Sequence, residues 1–384
     1  MDFLKEAQDI TNWTVNIRRD LHMHPEHGNK EFFTSEYICN VLRSLGLEPV
    51  RYLETAVIAD LHGALPGPMV AFRADMDALP IQEETGLPYA SKIPGMMHAC
   101  GHDMHVASAL AAAKILASHK DELPGTVRFL FQPDEEMDGG AKRMVEAGCL
   151  DGVNQVFGAH VRSDIPAGYA GVRYGVSYAA SNPFKITIHG KSAHGAEPQD
   201  GADAIMAGAQ IVTALQTIVS RRMAPIDPAV ITVGSFHAGS QCNIIADKAV
   251  LEGTMRTFGE ENRHKLVSLM ENIVQNIAAA MGVAAETDIT WGYPGVVNDH
   301  SSTELVQRSA EELFGADHVK VYAEPLVTTE DFGYFLQNAP GSFYHIGVGK
   351  SAPMHSGGFM PDEAALTFAS ALHAKVLWNA LGLK

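Results

Sequence analysis

The sequence predicts an α/β protein built on a mixed sheet with helices on its faces, interrupted by a smaller ferredoxin-like unit. Two patterns carry the prediction. Short apolar strands alternate with helical stretches through the first 182 residues, which argues for a largely parallel or mixed sheet covered by helices. From Phe184 the periodicities follow another order, β-α-β-β-α-β, which is a self-contained ferredoxin-like arrangement. A length of 384 residues accommodates both, because each part is large enough to bury its own core.

Each element has its own reason. Ile10, Trp13, Ile17 and Leu21 fall on one face of a helix that stops before Pro25. Residues 57–61, 69–72, 126–131 and 155–159 are short apolar runs and read as strands, with 106–118 and 141–147 as intervening helices. In the second part, 184–189, 229–236, 249–256 and 287–291 read as strands, and 202–222 and 262–281 as long helices. The larger unit is therefore discontinuous: residues 1–182 and 292–384 surround an insertion at 183–291. No repeat or low-complexity stretch interrupts the pattern.

Charge excludes some partners. With 28 Lys plus Arg against 45 Asp plus Glu, the net charge of -17 repels phosphate backbones and anionic lipid, so neither nucleic acid nor a membrane is expected as a partner. No apolar run is long enough to span a bilayer. The four cysteines, Cys39, Cys100, Cys149 and Cys242, form no framework. Without a signal-peptide pattern at the start, the expected location is the reducing cytoplasm. Cys39, Cys149 and Cys242 are expected to be buried small hydrophobes.

The chemistry is concentrated in His98-Ala-Cys100-Gly-His102-Asp103-Met-His105 and, about thirty residues on, Gln132-Pro-Asp-Glu135-Glu136. A thiol, several imidazoles and adjacent carboxylates suit a borderline-soft divalent metal. One glutamate can bind metal while its neighbour moves protons, the layout of a metallohydrolase. His160 and His355 are further candidates, although a lone histidine is more often a hydrogen-bonded interior or surface imidazole. Five ligands (Cys100, His102, Glu136, His160, His355) exceed a closed structural zinc site and suit a two-metal centre. Asp75 and Asp77 follow a strand; they serve either as turn caps or as carboxylates that orient a metal-binding imidazole.

The chain resembles the amidohydrolase branch of the aminoacylase and carboxypeptidase metallopeptidase superfamily, which includes hippurate hydrolases, N-acyl-amino-acid deacylases and indole-acetyl-amino-acid hydrolases. The resemblance rests on Arg18-Arg-Asp-Leu-His-Met-His-Pro-Glu26, Arg73-Ala-Asp-Met-Asp-Ala-Leu-Pro80, the Cys100 and Glu135-Glu136 segments, Gly190-Lys-Ser-Ala-His-Gly195, Asn243-Ile-Ile-Ala-Asp247, Glu252-Gly-Thr-Met-Arg-Thr-Phe258, Glu330-Asp-Phe332 and His355. It implies a di-metal exopeptidase-type catalytic domain with an inserted lid and dimerisation domain. The same five residues become the metal ligands, Glu135 the general base and His194 an oxyanion-stabilising lid histidine that often serves the neighbouring subunit. Asn243 and Arg256 hold the substrate's carboxylate end. The implied reaction is hydrolysis of N-acyl amino acids or related small amides with two divalent ions per chain, zinc or manganese, with cobalt and nickel also suited to the ligands. A homodimer is implied.

Three segments depart from the family pattern: His24-Pro-Glu-His-Gly-Asn-Lys30, Ser356-Gly-Gly-Phe359, and Asp134, which places an extra carboxylate beside the catalytic pair. Other readings are a dipeptidase or aminopeptidase, a metal-free hydrolase using Cys100 as nucleophile, and a non-catalytic binding protein. The density of ligands around Cys100 argues against the thiol enzyme, and an intact Glu135 against the binding protein.

Overall fold

The computed structural model describes residues 1–383, and they form two compact units. The first comprises Met1–Ser177, Val297–Glu324 and Asp331–Lys384; the second comprises Tyr178–Val296 and Pro325–Glu330.

The first unit begins with α1 (Phe3–Asp9), α2 (Thr11–Met23), α3 (Phe32–Ser44), β1 (Val50–Tyr52), β2 (Ala56–His62) and β3 (Leu65–Asp75). It continues with α4 (His102–Ser118), β4 (Pro124–Gln132), α5 (Gly140–Glu146), β5 (Gln155–Arg162), β6 (Ala170–Val172) and β7 (Gly175–Tyr178). The second unit holds β8 (Ala180–His189), α6 (Ala204–Thr217), β9 (Ala229–Ala238), β10 (Lys248–Thr257), α7 (Glu260–Ala280) and β11 (Ala284–Ile289). The chain then runs through β12 (Val296–Asn298), α8 (His300–Phe314), β13 (Val319–Val321), α9 (Gly333–Leu336), β14 (Gly341–Gly347) and α10 (Ala365–Ala380).

Eight strands of the first unit form one mixed sheet in the order β1-β2-β4-β3-β5-β14-β6-β13. β3 is parallel to β4 and β5, and β14 is parallel to β5 but antiparallel to β6. Helix α4 packs on β3 and against α2 and α10. It is alanine-rich and buried on nearly every face, the expected composition of a helix wrapped by others. The strand carrying His160 does not end there. Pairing with β14 continues from His160↔His345 to Arg162↔Gly347, so two further residues remain in the sheet.

The second unit is an antiparallel sheet in the order β11-β8-β10-β9, the ferredoxin-like arrangement. Its core joins Ile186, Ile188 and Leu251 of the sheet to Ile211 and Leu215 of α6 and Met270 and Val274 of α7. Helix α6 stops at Thr217 and a π-helical turn, Ile218–Arg222, completes the stretch read as one helix. The last strand lies at Ala284–Ile289 rather than 287–291, because its inward positions are Ala285, Thr287 and Ile289, a weak apolar signal. Cys39 and Cys149 are buried, whereas Cys242 is exposed, contrary to the sequence expectation, because it lies on a turn before Asn243. Among the described residues, no helix is long and apolar enough to cross a membrane.

Candidate metal centre

Gly101 shapes the site's floor. It adopts φ +89 at the start of α4, and a Cβ there would lie 2.5 Å from Val161 Cγ2. Only glycine tolerates both the left-handed backbone and that approach, so the N-terminus of α4 seats directly against β5. Cys100 and His102 on one side and His160 on the other are thereby brought together.

Three imidazoles present the same nitrogen to one space. His102 Nδ1 lies 3.0 Å from the Asp77 carbonyl oxygen and 3.1 Å from Asp77 Oδ1. Both partners accept, so Nδ1 carries a proton and Nε2 is the nitrogen left to meet a metal once the ring is neutral. His160 Nδ1 donates to the Val161 carbonyl at 2.7 Å, which frees its Nε2 likewise. Cys100 Sγ sits 3.3 Å from both His160 Nε2 and His355 Nε2. Glu136 Oε1 lies 3.2 Å from His355 Nε2 and 3.9 Å from His102 Nε2. His355 reaches this position from a left-handed backbone, φ 62, fixed by its amide donating to the Ala99 carbonyl at 2.9 Å.

The donors fit two ions. Cys100, His102 and His160 form one group whose ligand atoms lie within 4.8 Å of one another, and Cys100, Glu136 and His355 form a second, so the thiol belongs to both. His102, Glu135 and Glu136 form a third. His102 Nε2 is buried without a hydrogen-bond partner, an arrangement costly for protein alone and natural for a ligand. Cysteine, histidine and carboxylate are the usual donors to zinc and similar dications.

The electrostatics favour cations. Burial lowers the pKa of His102, yet the charges of Asp75, Asp77 and Glu136 carry it up to about 10. Burial, reinforced by Glu136 and Glu135, pushes the Cys100 thiol well above its ordinary range. Without metal the pocket therefore retains protons; divalent ions would reverse the preference.

Asp75 and Asp77 occupy the orienting positions considered from the sequence. Asp77 is bound to His102, and its Oδ2 accepts the Glu136 amide at 3.1 Å. Asp75 bonds His105 Nδ1, while His105 Nε2 accepts the Val161 amide at 3.0 Å. With both nitrogens engaged, His105 is a brace and not a ligand. Behind it lies a group the sequence reading assigned no role. Buried Arg73 donates to Asp75, to Gln132 Oε1 at 2.7 Å and to Asp331 Oδ1 at 2.8 Å. Its signal was available: an arginine inside the apolar strand Met69-Val-Ala-Phe-Arg73 must be paired once buried. Asp134 differs from expectation. Its carboxylate is tied to Asn29 and Arg143 rather than standing free beside Glu135.

In the second unit, His194 and Asn243 are neighbours. The Gly195 amide donates to the Asn243 carbonyl at 2.8 Å, and His194, which is exposed, bridges to Ile244. Arg256 is elsewhere. Register places Lys248 opposite His189 and Arg256 opposite Ser181, so the length of β10, roughly 27 Å at the usual rise, separates the two groups. The Arg256 guanidinium donates to Ser181 Oγ at 2.8 Å, to Thr254 Oγ1 and to the Met255 carbonyl. Among the described residues it makes no ion pair. Burial alone lowers its pKa, as expected for a cation with no acidic neighbour.

The model of peptidase family M20/M25/M40 matches residues 71–379. The chain is 42% identical over 375 residues to an N-acetyl-L-cysteine deacetylase of Bacillus subtilis, covering 96% of this chain and 89% of that protein. It is 46% identical over 292 residues to an N-acyl-L-amino acid amidohydrolase of Geobacillus stearothermophilus, covering 76% of this chain and 78% of that protein. A solved Bacillus subtilis structure, described as a dinuclear metal binding peptidase from the M20 family, superposes with a TM-score of 0.88 at 38% identity, covering 98% of this chain and 100% of that one.

Proposed function

The chain belongs to peptidase family M20/M25/M40, and from that premise we propose a dinuclear metal-dependent amidohydrolase that cleaves N-acyl amino acids to a carboxylic acid and an amino acid. The observation that carries the reading is the convergence of Cys100, His102, His160, His355 and Glu136 on one space beside Glu135. Cys100, common to both groups of donors, would be available to either ion. Divalent ions held there would supply Lewis-acid polarisation of the scissile carbonyl and a more acidic attacking water.

The protein's own residues do the rest. Glu135, only 7% exposed, takes the proton of the attacking water and returns it to the leaving amine. Asp77 and the Val161 carbonyl fix the tautomers of His102 and His160. Arg256, free of an acidic partner, anchors the substrate carboxylate, and His194 donates to the developing oxyanion. The family resemblance supports giving His194 and Asn243 to the site of a second copy in a homodimer, and their distance from Arg256 along β10 is compatible with that division. The second unit is, on this reading, both the dimer contact and the lid.

The test joins metal analysis to a panel of N-acyl amino acids and dipeptides. Purified protein should hold close to two divalent ions per chain, lose activity to a chelator, and prefer N-acyl amino acids. Full activity without metal would overturn the proposal, and a preference for dipeptides would shift the substrate assignment.

A further inference from the structure

We propose that Asp134 is a positioning residue that locks the turn carrying Glu135 and Glu136 to the loop at residues 28–31. Two segments distant in the sequence meet here, the 28–31 loop and the turn at Asp134. Asp134 Oδ2 accepts Asn29 Nδ2 at 2.7 Å and Arg143 Nη2 at 3.0 Å, and Arg143 Nη2 also reaches Asn29 Oδ1 at 2.6 Å. Its backbone is equally committed. The Asp134 amide donates to Glu31 Oε1 at 3.0 Å, and its carbonyl accepts both the Gly139 and Gly140 amides at 3.0 Å. Glu31 is itself fixed, accepting the Asn29 amide at 3.0 Å and Thr55 Oγ1 at 2.9 Å.

The conformation is one that needs holding. Asp134 has φ 58, a left-handed backbone that aspartate and asparagine tolerate better than other side chains. A Cβ on Gly28 would fall 2.1 Å from Asp134 Oδ1, so the carboxylate occupies space that only glycine leaves open. Next along the chain come the base and a ligand, and the Glu136 amide is bound to Asp77 at 3.1 Å. The turn is thus pinned at both ends, by Asp134 to the 28–31 loop and by Asp77 to the His102 side of the centre. Releasing the first pin lets the two carboxylates drift.

The inference rests on the amidohydrolase reading for its kinetic arm, and zinc titration supplies a second arm that does not. Asp134→Ala should lower kcat by about tenfold with KM within about twofold, and weaken one of the zinc-binding events by about tenfold, the lower range for groups that orient ligands. Asp134→Asn, which can still accept from Asn29 and Arg143, should recover most of both. Gly28→Ala should reproduce the losses in the native background and add much less when Asp134 is already alanine, because its severe contacts are with the carboxylate and only the 3.2 Å approach to the Asp134 Cα remains. Native kcat and zinc affinity in Asp134→Ala, or additive losses in the Gly28→Ala double variant, would overturn the proposal. If the wild-type protein fails to hydrolyse amides, the functional reading falls while the zinc arm still decides this one.

Discussion

Metal uptake should be strongly dependent on pH, with a magnitude set by two protons. In the metal-free protein His102 has a pKa of about 10 and the Cys100 thiol titrates well above its usual range. Both must be deprotonated to bind metal. The sign is clear: each group is protonated at neutral pH, so ions and protons compete, and affinity rises as pH rises. For His102 the pKa lies about three units above pH 7, which masks about a thousandfold of the intrinsic affinity, about 4 kcal/mol. Each unit of pH restores about tenfold, and Cys100 adds a further factor of about ten. The apparent zinc affinity of the ion that uses both groups should therefore climb about a hundredfold per pH unit between pH 7 and 9. Isothermal calorimetry in buffers of different ionisation enthalpy counts the protons directly and should find about two released. Release of fewer than one proton, with a flat pH profile, would refute the assignment of His102 and Cys100 as paired ligands.

Other consequences follow from the same geometry. Glu135→Gln should retain both metals and the fold while kcat falls by roughly 10²–10⁴, measured by turnover alongside elemental analysis. Asp77→Ala removes one acceptor of His102 and the only described acceptor of the Glu136 amide; competition with a chromophoric chelator should find metal affinity lower by about 10–100-fold. The backbone carbonyl of residue 77 still holds His102, so the loss should not extend to complete release. Arg256→Ala should chiefly raise KM, His194→Ala should lower kcat without changing metal content, and sedimentation should find a dimer. Unimpaired turnover of His194→Ala would remove the lid from the mechanism.

Much of this architecture was legible in the sequence, and the gaps have physical reasons. The strands around the site were readable because they are short apolar runs ending at polar clusters. Cys100, His102 and Glu136 were readable as candidate ligands because thiol, imidazole and paired carboxylates rarely coincide otherwise, whereas His160 and His355 are lone histidines with little positional signal of their own. Residues 292–384 resisted assignment into elements. Strand β14 is buried throughout and carries Ser342 and His345 amid apolar residues, so it shows no alternation. The direction of Asp134 could not be read, because its partners Asn29 and Arg143 come from distant parts of the chain. Nor could the separation of Arg256 from His194, which depends on strand register rather than on motif content.

The place of β14 has a bearing on biosynthesis. A strand made nearly last, residues 341–347, enters the middle of the sheet between β5 and β6, and His355 follows it directly. Until that stretch leaves the ribosome, two strands keep open edges and the proposed ion-binding set lacks its final donor. A product ended before residue 341 would lack both the central strand and His355, so it should not assemble the proposed metal centre.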